Sequence, residues 1–252
     1  MADKLVIAQS IVQAAELKGP DSAFLAGGTE DNRLDSPVCA GTLVSLRKIG
    51  MKEIEKCRLE GFEDPFIRLG AMCTFSELEE SGIVPDYLKT ALRFMSSLQK
   101  RNMATIGGNV ACARDDSYLL ATLIAAKAKI EFTDKDGKKT YTCACKYVAD
   151  RSKYENCLIS AVYLHDIPMT VESKRYANTA ASHAYLTVAA SYVKGDTIFA
   201  VCAKNCGIFT FKNEKPGVLP FKNDIFGSPE YKQYLLDVTY EDLIAKVTGG
   251  RK

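Results

Sequence analysis

Two glycine pairs, each with a threonine beside it, are the residues of this chain best suited to chemistry: Ala26-Gly27-Gly28-Thr29-Glu30 and Ala104-Thr105-Ile106-Gly107-Gly108-Asn109. Paired glycines remove two Cβ atoms and admit positive φ, so consecutive backbone N–H groups can turn towards an anion without steric cost. One such pair reads as a tight turn. Two of them, each after an apolar or helical stretch, suit the two sides of a pyrophosphate-sized ligand. Neither segment is GxxxxGK[ST] or GxGxxG, so the common mononucleotide and Rossmann readings fail on spacing.

The remaining reactive side chains form weaker patterns. Nine cysteines (Cys39, Cys57, Cys73, Cys112, Cys143, Cys145, Cys157, Cys202 and Cys206) are an odd number at irregular intervals, which reads as free, mostly buried thiols. Cys143-Ala144-Cys145 taken with Cys202 and Cys206 would offer four thiolates to a metal or iron–sulfur cluster. Neither half is a CxxC knuckle, and strand alternation over 141–147 would put Cys143 and Cys145 on one face, so core thiols are the better reading. The two histidines, His165 and His183, sit in no motif with a partner and read as structural. No catalytic acid, base or metal ligand emerges.

The elements that must position the glycine segments follow from periodicity and caps. Ser10 precedes the apolar-periodic Ile11, Val12, Ala14, Ala15 and Leu17, a capped helix that stops at Gly19-Pro20. Phe24-Leu25-Ala26 then reads as a strand running into the first glycine pair. Residues 42–46 are β-like, 66–70 alternate, and Thr74-Phe75-Ser76-Glu77 is a capping box opening a helix. From 85 to 98, Leu88, Ala91, Leu92 and Met95 recur at helical spacing, so a helix delivers the chain to the second glycine pair. Residues 118–128 read as a buried helix, and 129–132 with 140–145 as a hairpin, because Asp136-Gly137 supplies the positive-φ turn. A polar, proline-containing connection over 166–174 leads to strands at 186–192 and 197–203. A last helix starts at Ser228-Pro229 and runs from 231 to about 246. The layout is α+β with mixed or antiparallel sheets.

Bulk properties agree with a folded protein and exclude two partner classes. At 252 residues and 47% hydrophobic, the chain can bury a substantial core in one large or two small domains. Thirty-three Lys and Arg against thirty-one Asp and Glu leave a net charge of +2 with no long basic run, which argues against nucleic acid and membrane surfaces. No apolar stretch nears the roughly 20 residues that span a bilayer, and the start lacks a charged-then-apolar export signal. Both point to the cytoplasm.

Four segments, in order along almost the whole chain, resemble the FAD-binding subunit of molybdenum hydroxylases, the flavoprotein subunits of xanthine dehydrogenase, carbon monoxide dehydrogenase and relatives. They are Leu25-Ala26-Gly27-Gly28-Thr29, Leu69-Gly70-Ala71-Met72-Cys73-Thr74-Phe75-Ser76-Glu77-Leu78, Gln99-Lys100-Arg101-Asn102-Met103-Ala104-Thr105-Ile106-Gly107-Gly108-Asn109, and Gly227-Ser228-Pro229-Glu230-Tyr231-Lys232. The chain looks most like the short bacterial form associated with selenium-dependent purine hydroxylases. The resemblance implies a two-lobed, vanillyl-alcohol-oxidase-like FAD-binding PCMH-type domain over 1–165, with lobes of about 1–52 and 53–165. A small α+β domain of the carbon monoxide dehydrogenase flavoprotein C-terminal type would follow over 166–252.

It also implies a site. Leu25, Ala26, Gly27, Gly28, Thr29 and Glu30 on one side, and Thr105, Ile106, Gly107, Gly108 and Asn109 on the other, would wrap the FAD diphosphate through backbone amides and the two threonine hydroxyls. Glu30 stands where the family has Asp, and Tyr118 where a ribityl-binding Asp is expected. Asp115 and Asp116 lie just upstream, either substituting for that Asp or capping the following helix. Met95 stands near the place of an aromatic residue against the flavin ring, and Lys174 and Arg175 near that of a basic one. The implied partners are a molybdenum-cofactor large subunit, a [2Fe–2S] small subunit, and NAD+ or another acceptor. A stand-alone FAD oxidoreductase and a flavin-free assembly subunit with the same fold are the competing readings.

Overall fold

The structure, a computed structural model, describes residues 2–31 and 40–249, so Cys39 lies outside the described residues. The chain begins with a strand the periodicity had not revealed, β1 (Lys4–Ile7), followed by α1 (Ile11–Glu16), whose N-cap Ser10 accepts from the Gln13 amide at 3.1 Å. β2 (Ser22–Leu25) and β3 (Thr42–Ser45) complete a parallel sheet in the order β1-β3-β2. Ala8, Ala14, Val44 and Leu46 form its core, which Met72 and Leu158 join from the next sheet.

The second sheet is antiparallel throughout. β4 (Ile54–Arg58), β5 (Pro65–Gly70), β6 (Lys129–Thr133), β7 (Lys139–Cys143) and β8 (Leu158–His165) lie in the order β4-β5-β8-β6-β7. Between β5 and β6 the chain makes α2 (Phe75–Glu80), α3 (Asp86–Leu92), α4 (Leu98–Arg101), α5 (Ile106–Cys112) and α6 (Leu120–Ala125). Between β7 and β8 come α7 (Ala144–Ala149) and a 3₁₀ turn at Arg151–Tyr154. The capping box is present in full, with Thr74 accepting from Glu77 N and Glu77 from Thr74 N.

A third, antiparallel sheet has the order β12-β11-β10-β9, with β9 (Thr170–Tyr176), β10 (Leu186–Val193), β11 (Asp196–Ala203) and β12 (Gly207–Lys212). One face packs on α8 (Pro229–Thr248) through Leu236, Leu243 and Val247. Its other face sends Ala189, Ala200 and Cys202 into the large core beneath α2 to α6. All six residues of α6 are buried, because it lies between that sheet and the second sheet's helices.

Three local expectations are corrected. The helix expected over 85–98 is two: α3 ends at Leu92, the backbone opens, and Ser97 caps α4 by accepting from Lys100 N at 3.3 Å. Serine side chains compete with the helix for backbone groups, and here a cap wins. The strand expected over 141–147 ends at Cys143, which instead caps α7. The polar connection over 166–174 is largely β9, an edge strand whose outward residues are polar.

Candidate functional site

β2 delivers the first glycine segment to the gap between the first two sheets. Gly28 turns the chain with φ of 69°, a conformation glycine adopts at no steric cost. Gly27 is required by proximity, since a Cβ there would lie 1.8 Å from the Met103 carbonyl oxygen, immediately before the second glycine segment. The two segments therefore pack backbone against backbone.

The second segment differs from an open loop. Thr105 is the N-cap of α5, and Gly107 and Gly108 form its first turn without positive φ. Its amides are already engaged: Ile106 N donates to Cys73 O, Gly107 N to Ala71 O, Gly108 N to Thr105 Oγ1 and Asn109 N to Thr105 O, at 2.9 to 3.0 Å. The expectation that Gly107, Gly108 and Asn109 offer amide donors is thus corrected, because helix formation and the strap to residues 71–73 use them. Room is what these glycines provide. A Cβ on Gly107 would meet Ala71 Cβ at 2.6 Å, and one on Gly108 would face Ala26 Cβ at 3.8 Å across the gap.

A cavity of about 1040 Å³ opens there, lined by Ala26, Gly27, Gly28, Thr29 and Glu30 from one side and Thr105, Gly107, Gly108 and Asn109 from the other. Cofactor and ligand sites run from about 300 to 1,000 Å³, so this one lies at the top of that range and has room for a large cofactor. Phe132, Tyr147 and Tyr154 give it an apolar wall, Lys100 a cation, and Met95 lies on its lining. Leu25 and Ile106 are not on its lining; Ile106 is wholly buried in the core.

The polar side of the cavity is organised by Arg114. Its guanidinium donates to Asp116 Oδ1 at 2.7 Å and to Glu30 Oε1 at 2.8 Å, joining the first glycine segment to the turn before α6. The hydrogen bonds to Asp116 outweigh desolvation and hold the guanidinium still more firmly charged. Asp116 and Tyr118 line the cavity, and His183, contributed by the C-terminal part of the chain, lies 3.4 Å from the Tyr118 hydroxyl and 3.8 Å from Asp116. Arg175 stands over the Tyr118 ring at 5.9 Å. Asp115 is not brought to the cavity: its carboxylate accepts from Asn205 N at 2.7 Å, and burial raises its pKa. Asn109 accepts from Ser117 at 2.9 Å, which fixes that turn.

Sequence reasoning missed Arg114, Lys100 and the placement of His183. The only available signal for Arg114 was its position directly before Asp115-Asp116, since Glu30 is 84 residues away.

A cleft between two sheets, bounded on both sides by glycine segments and with room for a large ligand, has the form of a cofactor site. The model of the family described as the FAD binding domain in molybdopterin dehydrogenase matches residues 2–164, and the chain belongs to that family. FAD is its cofactor, and the room left by Gly108 opposite Ala26 fits a ligand passing between the glycine segments. The chain is 24% identical to the uncharacterized protein YgfM of Escherichia coli strain K12 over 97% of its own length and 96% of that protein's. In fold it is similar to a chain of carbon monoxide dehydrogenase from Hydrogenophaga pseudoflava (TM-score 0.79, 17% identity, 100% and 99% of the two chains covered). It is likewise similar to one of quinoline 2-oxidoreductase from Pseudomonas putida 86 (TM-score 0.79, 17% identity, 99% and 98% covered). The chain accordingly carries the FAD-binding domain of that family on a fold it shares with those two chains. Among the described residues no helix is long and apolar enough to cross a membrane.

Proposed function

We propose that this chain is the electron-transfer subunit of a cytoplasmic, xanthine- or purine-dehydrogenase-like hydroxylase of the short bacterial form associated with selenium-dependent enzymes. Its partners would be a large subunit carrying the molybdenum cofactor, where substrate is hydroxylated, and a small subunit carrying [2Fe–2S] clusters. NAD+ or another acceptor would take the electrons. The observation that carries this reading is the meeting of two glycine segments, from different parts of the fold, on one cavity of about 1040 Å³. Bound FAD supplies the exchange between electrons received from clusters and a pair delivered to an acceptor.

The residues of the chain hold and orient. Gly27, Gly28 and Thr29 would face the diphosphate with backbone groups, while Thr105, Gly107, Gly108 and Asn109 clear its path, and Lys100 places a positive charge on the same lining. Glu30, Asp116 and Tyr118, fixed through Arg114 and His183, would meet the ribityl and ring portions. Residues 1–165 would form the FAD-binding domain and 166–252 the smaller one. This division is supported by the family match over 2–164.

The test is purification of the full chain from cells that also express its genomic neighbours. Stoichiometric FAD and two co-isolating polypeptides, one with molybdenum and one with iron and sulfide, are expected. Colourless protein that takes up no added FAD would sink the flavoprotein subunit in favour of an assembly factor. Turnover of a small substrate by the isolated chain would favour a stand-alone oxidoreductase.

A further inference from the structure

Away from the cavity lining, the junction of β7 and α7 brings two thiols together. Cys143 ends the strand opposite Lys129 of β6 and caps α7, accepting from Lys146 N at 3.4 Å. Cys145 follows in the first turn, and the reversal of direction folds its side chain back so that the two sulfurs stand 2.8 Å apart. Both residues are half-buried, open enough for a small reagent to reach. A disulfide needs about 2.05 Å between sulfurs, so bond formation asks them to close by less than an ångström.

We propose that Cys143 and Cys145 form a redox-active dithiol that closes to an intramolecular disulfide by exchange with a small-molecule disulfide of the glutathione type. In the first step the Cys143 thiolate attacks one sulfur of the disulfide, forming a mixed disulfide and expelling one thiolate. That thiolate takes the Cys145 proton. The Cys145 sulfur then attacks Cys143 Sγ, expelling the second thiolate, which takes up a proton from water. Starting from the Cys143 thiolate, the chain loses two electrons and the Cys145 proton, and one small disulfide becomes two thiols, the second protonated by water.

The electrostatics assign the roles. The Cys145 thiol donates to Cys143 and, against the cost of burial, the Lys146 amide and the amines of Lys129 and Lys146 help bring Cys143 down to about 5. The same contact pushes Cys145 up, as suits the thiol that attacks second. Cys57, Cys73, Cys112, Cys157, Cys202 and Cys206 are all pushed up, chiefly by burial.

The experiment reduces the full-length protein, incubates it with oxidised glutathione, blocks the remaining thiols with N-ethylmaleimide and digests with trypsin. Cleavage after Lys139 and Lys146 releases 140–146, which holds both cysteines and no other. The expected peptide is unblocked and two hydrogens lighter than the dithiol, while the peptide holding Cys157 is blocked. In Cys145→Ser the reaction should stop with glutathione attached to Cys143. In the reduced wild type at pH 6, iodoacetamide should modify Cys143 at least about sevenfold faster than Cys157. About 300-fold more thiolate than for an ordinary thiol is offset about 40-fold by the weaker nucleophilicity of a low-pKa sulfur. A wild-type peptide blocked at both cysteines after oxidant, or one that retains glutathione, would overturn the proposal.

Discussion

At Gly108 a side chain would project across the gap between the two glycine segments. A Cβ would stand 2.9 Å from Thr105 Oγ1 and face Ala26, so valine fills the passage while disturbing little of the core. Gly108→Val is expected to weaken FAD binding by more than about tenfold with the flavin-free melting temperature nearly unchanged, measured by FAD titration and thermal melting; tenfold is about 1.4 kcal/mol, a modest cost for a displaced ligand. Arg114 tests the opposite balance. It supplies two hydrogen bonds to Asp116, whose side chain is 1% exposed, and one to Glu30, so Arg114→Gln takes the guanidinium away from a buried carboxylate. Removing one member of a buried pair costs about 3–5 kcal/mol, and with the guanidinium itself 23% exposed, about 2–3 kcal/mol is expected here, read as a lower denaturant midpoint together with weaker FAD binding. Equal stability of Arg114→Gln and wild type would show that the Glu30–Arg114–Asp116 bridge does not hold the segment. Neither glycine's role nor the arginine's was equally legible beforehand. The glycine pairs announce themselves locally, whereas a bridge from Glu30 to Arg114 exists only once the sheets have met.

Elements were legible where the signal is local. Ser10, the Thr74 and Glu77 box and Ser228-Pro229 all cap helices as their chemistry requires, and Gly137 takes φ of 75° in the β6–β7 turn. β8 was not, because its first seven residues are buried on both faces and no alternation survives. β8 also carries half of the second sheet's internal staple. Glu131, at a register shift in β6, accepts from Ser160 Oγ at 2.6 Å and Tyr163 Oη at 2.8 Å on β8, and from Tyr141 Oη at 3.1 Å on β7. Burial raises its pKa, but those hydrogen bonds and Lys139 more than offset this and leave it below the ordinary glutamate value. A depressed carboxylate contributes stability above its unfolded pKa and loses it as pH falls through the folded one. Glu131→Gln should therefore destabilise the protein by about 1–3 kcal/mol at pH 7, the cost of impaired buried hydrogen bonds, and the gap to wild type should narrow below about pH 4. Denaturant midpoints across pH measure it; a constant gap would mean the charge is not what the staple uses.

Across the whole molecule, the C-terminal third is bound into the core rather than appended. Ala189, Ala200 and Cys202 of the third sheet share one hydrophobic cluster with α6 and the second sheet, and the buried Ser191 hydroxyl donates to Ala125 O at 2.6 Å. Charged contacts run the same way, from Lys194 to Asp64 at 2.8 Å and from the Asn205 amide to Asp115 at 2.7 Å. His183 reaches the cavity itself. Cutting the chain after residue 165 would bare an α6 whose every residue is now buried, and exposed apolar surface costs about 25 cal/mol per Å² in a fold only marginally stable to begin with. The fragment 1–165 is therefore expected to lose the cooperative melt of the full chain and to retain no FAD, although the family match ends at 164 and both glycine segments remain. Adding 166–252 as a separate polypeptide should restore both, because the missing contacts are packing and hydrogen bonds rather than chain connection. A fragment that melts cooperatively at the full-length temperature would show instead that the shared core contributes nothing the first two sheets lack.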